Sequence, residues 1–346
     1  MTRRNFLKYS LFSTLSVSPL FADGNKLKII LPTKKLKYYH LKGKQKGGRV
    51  LIIGGIHGNE IGAYKAADLL IDNDLKKGEL LIIPRSNFTS ILANVRGYNG
   101  DMNRKFDYIS KKDPDYYYVE SLKEIILNYK PDVVISMHDG FGFASKYKRA
   151  WGQSVVIDEL KYKNFDLYTP AKFVLDNANK YLKYKLALIN TKTFSGKIHP
   201  EQKKALTGWC LEHGIKAFCI EASKQLPSIK EKVYTHLTML REFFKLYNIE
   251  FDGGNDRLVN NFDLALGDKP KLILDVNGKK ITLKNRDVLK VKKGSIIKVV
   301  EIDGKRGDFI VPVGVNLNWS SFHFNNLTFN IKRDYKKIFS IDIRSV

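Results

Sequence analysis

Cysteine is nearly absent from this chain. Cys210 and Cys219 are the two in 346 residues, too few for a disulfide framework or a thiolate metal cluster, and both are expected as buried thiols. Long apolar runs are missing as well. Beyond the first 22 residues nothing approaches the roughly 20 consecutive apolar residues of a spanning helix, so no membrane insertion of a mature chain is expected. No repeat or low-complexity tract is evident. Acidic residues are scarce, 35 against 60 Lys and Arg, which gives a formal charge of +25 and a pI near 9.7. Such a balance admits nucleic acid, anionic lipid or another polyanion. The lysines are scattered, however, and no RNA- or DNA-binding motif accompanies them, so no nucleic-acid partner is expected.

What is present is enough apolar material for a real core: 43 % hydrophobic and 12 % aromatic residues. The length allows one large domain and a smaller one. Thr2-Arg3-Arg4-Asn5-Phe6-Leu7-Lys8 leads into a short, moderately apolar stretch ending at Ala22. That pattern reads as a secretory signal, and the paired arginines resemble the twin-arginine export address. The expected organisation is a signal over residues 1–22, a main domain over 25–250 and a β-rich accessory domain over 256–346. The last is argued from short alternating stretches separated by Gly and Asp-Gly turns.

The main domain is organised around Arg49-Val-Leu-Ile-Ile-Gly-Gly-Ile-His57-Gly-Asn-Glu60. The β-branched apolar run ended by Gly-Gly predicts a buried strand, with a helix over residues 59 or 60 to 70. His57 and Glu60 then share one face of a helical turn. Imidazole and carboxylate are normal zinc ligands, and a catalytic zinc takes three from the protein. Alone, such a pair is more often a helix start or an ion pair. Two further buried runs supply candidates: the 132–137 strand ends at His138, and the 216–221 strand ends at Glu221. Sites in open α/β sheets form beyond the carboxyl ends of strands, and both residues sit there. Between Glu60 and His138, residues 85–108 lack periodicity and are dense in polar groups, a loop length that is often functional. Leu27 to Leu31 is expected as an edge strand, 165–186 largely as helix, and 228–247 as a long closing helix.

Taken together, His57-Gly-Asn-Glu60, Asp101-Met-Asn103-Arg104, His138 and Glu221 resemble the zinc carboxypeptidase family of the carboxypeptidase A type. Within it they resemble most the peptidoglycan-trimming DL-carboxypeptidases that set helical cell shape in Campylobacter and Helicobacter relatives. Phe106 and Glu221-Ala222-Ser223-Lys224 also look like that branch. The likeness covers roughly residues 26–247. It departs in two ways: some members have three domains where this chain has room for two, and no match is found for the tyrosine that covers substrate in digestive carboxypeptidases. The resemblance implies an α/β fold, a mixed central sheet flanked by helices and followed by a small all-β domain. It also implies Zn²⁺ held by His57, Glu60 and His138, with Glu221 as general base. Arg96 would stabilise the oxyanion, and Asn103 and Arg104 would grip a terminal carboxylate.

The function so implied is a periplasmic metallocarboxypeptidase. It would release C-terminal meso-diaminopimelate from peptidoglycan stem tripeptides, leave dipeptides and influence cell shape, with muropeptides as partners. Two alternatives stand beside it. One is a zinc amidohydrolase like aspartoacylase or succinylglutamate desuccinylase, which shares the motifs but acts on cytoplasmic metabolites. The other is a noncatalytic cell-wall binding protein. Asp139 either orients a zinc histidine or caps a turn. Lys224 is either an anion contact or solvated surface. His199, His213 and His236 are expected to be structural or exposed.

Overall fold

The computed structural model describes residues 26–265 and 267–346; the expected export segment, 1–22, lies outside them. Among the described residues an eight-stranded mixed sheet runs in the order Glu250–Phe251, Leu75–Ile83, Gln45–Ile53, Val133–Gly140, Ala217–Ser223, Ser154–Ile157, Ala187–Asn190, and Tyr39–Lys42 also pairs with Leu75–Ile83. Four neighbouring strands, from Leu75–Ile83 to Ala217–Ser223, are mutually parallel. Ser154–Ile157 joins them antiparallel.

Both faces of the sheet are covered, which is why its central strands read as unbroken apolar runs. Successive side chains leave a strand on opposite sides. Val50, Ile52, Ile135, Met137, Phe218 and Ile220 pack with the helices Ile61–Leu70, Tyr168–Ala178 and Ile229–Leu246. The residues between them, among them Leu51, Ile53 and Val134, pack with Tyr116–Tyr129 and Leu206–Glu212. The closing helix begins where expected because Ser228 caps it, its side chain accepting from the Glu231 amide and satisfying one of the orphan donors of the first turn. No helix among the described residues is long and apolar enough to cross a membrane.

From Lys271 onward the described elements are all strands, whereas the start of the span expected as β-rich is helical: Asn255–Asn260 packs Leu258 and Val259 into the main core. A five-stranded sheet and a four-stranded sheet enclose a separate apolar core that includes Leu272, Ile297, Phe329 and Ile341. A second expectation is corrected here. Leu27–Ile30 is a strand, but not at the edge of the main sheet. It lies inside the five-stranded sheet, parallel to Ile296–Asp303 and antiparallel to Ser321–Phe324. Leu27 and Ile29 are fully buried in that second core. The alternation of these residues is the same for either sheet, so the pattern specifies a half-buried strand and leaves its partner open.

Candidate active site

The catalytic candidates meet at one end of the parallel strands. Register places Glu221 directly opposite His138 on adjacent strands. The next strand, Gln45–Ile53, leads through Gly54–Gly55 to His57, and Glu60 immediately precedes the Ile61–Leu70 helix. The turn between them must be glycine at position 58, since a Cβ there would fall 2.0 Å from the Ser90 carbonyl carbon. Close approach of the 87–94 segment thus holds the His57–Glu60 turn from outside.

The ligand atoms converge tightly. His57 Nδ1 lies 3.0 Å from Glu60 Oε1. His138 Nδ1 lies 2.8 Å from Glu60 Oε2 and 3.1 Å from His57 Nδ1. All three residues are buried, and they form the one His/Cys/Asp/Glu group found among the described residues that could hold a metal. One ligand atom from each of the three residues lies within 4.8 Å of the others. A His₂Glu donor set at this spacing fits zinc with one position left open.

The other ring nitrogens are engaged too. His57 Nε2 is 2.8 Å from Asp101 Oδ1, and His138 Nε2 is 3.0 Å from Ser136 Oγ. Such outer partners fix which nitrogen faces a metal. Asp101 Oδ1 also accepts from the Asn103 amide, and its other oxygen takes the Arg96 guanidinium at 2.9 Å. Burial opposes ionisation of Asp101, but His57 and Arg96 hold its carboxyl below the ordinary range. Glu60 behaves likewise: burial opposes its charge, and the two imidazoles override it. Burial pushes His138 down, whereas Glu60 and Asp101 outweigh burial at His57 and raise it.

Glu221 is different. It is 7 % exposed, its Oε2 is buried without a partner, and Cys219 Sγ lies 3.6 Å from its Oε1. Burial, then the nearby Glu60 carboxylate, pushes its carboxyl well above the usual range. A carboxyl of raised affinity beside a metal position is what a proton carrier requires.

Arg96 reaches Glu60 Oε1 at 3.4 Å and is about half exposed. Arg104 donates to the Asn103 carbonyl at 2.8 Å and meets no carboxylate among the described residues. Asn103 Oδ1 accepts from the Leu206 amide at the start of the Leu206–Glu212 helix. Lys224 Nζ lies 3.5 Å from Glu60 Oε1, at the centre rather than on open surface. Asp139 points to the opposite face of the sheet. It accepts from the Gly62 amide at 2.7 Å and pairs with His236 Nε2 at 2.9 Å, all buried. It therefore holds the first turn of the helix after Glu60 and does not touch a zinc histidine. His199 sits against Trp151, and His213 stacks on Trp209. Both cysteines are free; Cys210 is buried and Cys219 only partly so.

A family model described as the catalytic part of the carboxypeptidase controlling helical cell shape matches residues 27–264. The chain belongs to that family. Its members' fold is found in the cell shape determinant Csd4 of Helicobacter pylori. The tripeptide-bound structure is 20% identical, covering 90% of this chain and 100% of that one, with a TM-score of 0.58. The product-bound form aligns over the same shares at 20% identity and TM-score 0.59. The form with mDAP bound, described as a D,L-carboxypeptidase, is 20% identical over 87% of this chain and 97% of that one, with a TM-score of 0.55. No curated protein sequence matches the chain. The match to the family covers both strand ends and the intervening loop, so the His₂Glu cluster belongs to a zinc-dependent carboxypeptidase.

Proposed function

We propose that this chain is a periplasmic DL-carboxypeptidase that removes meso-diaminopimelate from the carboxyl end of L-Ala-γ-D-Glu-meso-diaminopimelate stem peptides. The observation that carries the reading is the convergence of His57, Glu60 and His138 beside the buried, unpartnered oxygen of Glu221. Zinc held by the first three supplies a polarised carbonyl and a water of lowered pKa. Glu221 accepts the proton of the attacking water and passes it to the amine nitrogen as the C–N bond breaks. Arg96, beside Glu60 at 3.4 Å, offers its guanidinium to the carbonyl oxygen as negative charge develops there. Arg104 takes the terminal carboxylate with its planar fork, and Asn103, whose Oδ1 is already used, offers its amide hydrogens.

The substrate follows from charge and address. An uncrosslinked tripeptide carries several carboxylates, which a chain of +25 attracts. The Arg3-Arg4 segment and the short apolar stretch after it support export by the twin-arginine route, with cleavage proposed after Ala22. The proposed division is an export segment over 1–22, a catalytic unit over 25–250 and a β-rich unit over 256–346; Leu27–Ile30 packs with the third unit and Leu258 and Val259 with the second. Incubating zinc-loaded protein with purified tripeptide muropeptides should yield dipeptide and free meso-diaminopimelate. Unchanged tripeptide, with zinc still bound, would overturn the reading. Glu221→Gln should retain zinc while turnover falls by about 10²–10⁴-fold, the usual range for loss of an acid–base group.

A further inference from the structure

The Asn316–Asn318 turn of the β-rich unit touches the loop that carries Arg96 and Asp101 at its tip. These two residues form an ion pair and reach Glu60 and His57 respectively. The chain between them is a tight turn, Gly97-Tyr98-Asn99-Gly100. A Cβ at Gly97 would lie 1.9 Å from the Gly100 carbonyl oxygen, so the turn closes only with glycine there. Both of its middle residues are engaged by the β-rich unit. Tyr98 Oη donates to Asn316 Oδ1 at 3.4 Å and accepts from the Leu317 amide at 3.2 Å. Asn99 and Asn318 exchange amide hydrogen bonds in both directions, at 3.2 and 2.7 Å.

We propose that Asn316 and Asn318 are positioning residues for the active site, holding Arg96 and Asp101 in place through Tyr98 and Asn99. The assignment rests on the reading of Arg96 and Asp101 given above. Three further observations support it. The 316–318 turn is itself fixed, because the Asn318 amide donates to Asn316 Oδ1 at 2.9 Å and Lys34 Nζ donates to the Leu317 carbonyl at 2.7 Å. Both amide hydrogens of Asn99 are committed, the second going to Asp115 Oδ1 at 2.9 Å. Its carbonyl accepts from Lys105 Nζ, which is also paired with Asp113 and Asp115. The contact with Asn318 is therefore passed to the segment bearing Asn103 and Arg104. Fixed partners of this kind hold reacting groups to the tolerance catalysis needs, where a shift of about 1 Å can cost on the order of 10²-fold.

The test uses the full chain with zinc. Asn318→Ala and Asn316→Ala should each lower kcat on tripeptide by about tenfold with KM little changed, as expected when an interaction of the transition state is misplaced. Amide exchange of residues 95–103 should accelerate in the same variants. Arg306→Met is the control. It breaks another contact of the same unit, to Asp68 and Asp72, and should lower thermal stability with kcat and loop exchange unchanged. Unaltered exchange in both asparagine variants would overturn the proposal. So would a fall in kcat in Arg306→Met matching theirs, since that would mean general loosening. The exchange measurement needs no substrate, so it stands even if the tripeptide proves not to be cleaved.

Discussion

His57 can present Nδ1 to a metal because Asp101 occupies its Nε2. Remove that carboxylate and the ring is free to rotate, and Arg96 loses its nearest anion. Loss of such an outer partner typically weakens metal binding by about 10–100-fold. Asp101→Ala should therefore raise the zinc dissociation constant by that order, read by competition with a chromophoric chelator, with the melting temperature of the metal-free protein little changed. Ser136→Ala should do less, since a hydroxyl is a weaker partner than a carboxylate. The positions of His57, Glu60, His138 and Glu221 are legible in the chain because each follows a buried apolar run, and strand ends in such sheets point to one edge. Asp101 is visible there only as part of a motif, and Ser136 only by its place in the strand. Their roles depend on which way two rings turn, and nothing in residue spacing encodes that. The one available signal for Ser136 is alternation: two residues before His138, it must share its face of the strand.

Among the elements, the start of the Ile61–Leu70 helix has no side-chain cap of its own. Its Gly62 amide is satisfied from a neighbouring strand by Asp139, which also binds His236. Asp139→Ala would leave a buried amide and a buried imidazole without their acceptor. Each such loss costs about 1–3 kcal/mol, so denaturant unfolding should show a loss of several kcal/mol, with zinc affinity reduced because Glu60 sits at that helix start. Adjacency to His138 suggests a place for Asp139 beside the metal, but alternation along the strand sends it to the other face. Elsewhere the elements read well where periodicity is strong and poorly where a single side chain ends them. The helix expected through residue 186 runs only Tyr168–Ala178. Asn179 ends it, its side chain accepting from the Leu186 amide and donating to the Leu186 carbonyl. Similarly, the alternating run over 321–333 is broken into two strands, Ser321–Phe324 and Asn326–Arg333. Asn325 lies between them, and its carbonyl takes the Ser345 amide.

At the scale of the molecule, the two sheet systems are interlocked rather than strung in series. Among the described residues the first strand, Leu27–Ile30, lies inside the β-rich unit, the chain then crosses to the main sheet and returns, and Leu92 of the active-site loop is buried in the second core. A fragment ending at residue 255 would strand Leu27–Ile30 without partners and expose that core, so it should be recovered insoluble or unfolded where the full chain is folded. The seam is also electrostatic. Asp334, fully buried, is paired with Arg85 and Lys65, and Asp68 is paired with Arg85 and Arg306. Burial raises the cost of ionising both aspartates, yet the surrounding cations hold both carboxyls below their ordinary value of 3.8. A group whose folded-state pKa is depressed adds stability that is present above its unfolded pKa and lost as pH falls through the folded one. The seam should therefore hold through neutral and mildly acid solution and weaken only below about pH 4. Asp334→Asn leaves Arg85 and Lys65 short of an anion. Breaking one side of a buried pair costs roughly 3–5 kcal/mol, so the variant should be less stable at pH 7. It should also lose less than the parent on titration from pH 5 to pH 2, because the proton taken up by Asp334 is no longer part of its unfolding. Denaturant midpoints measured across that range decide the point: parallel curves for parent and variant would show that Asp334 does not hold the two units together through its charge.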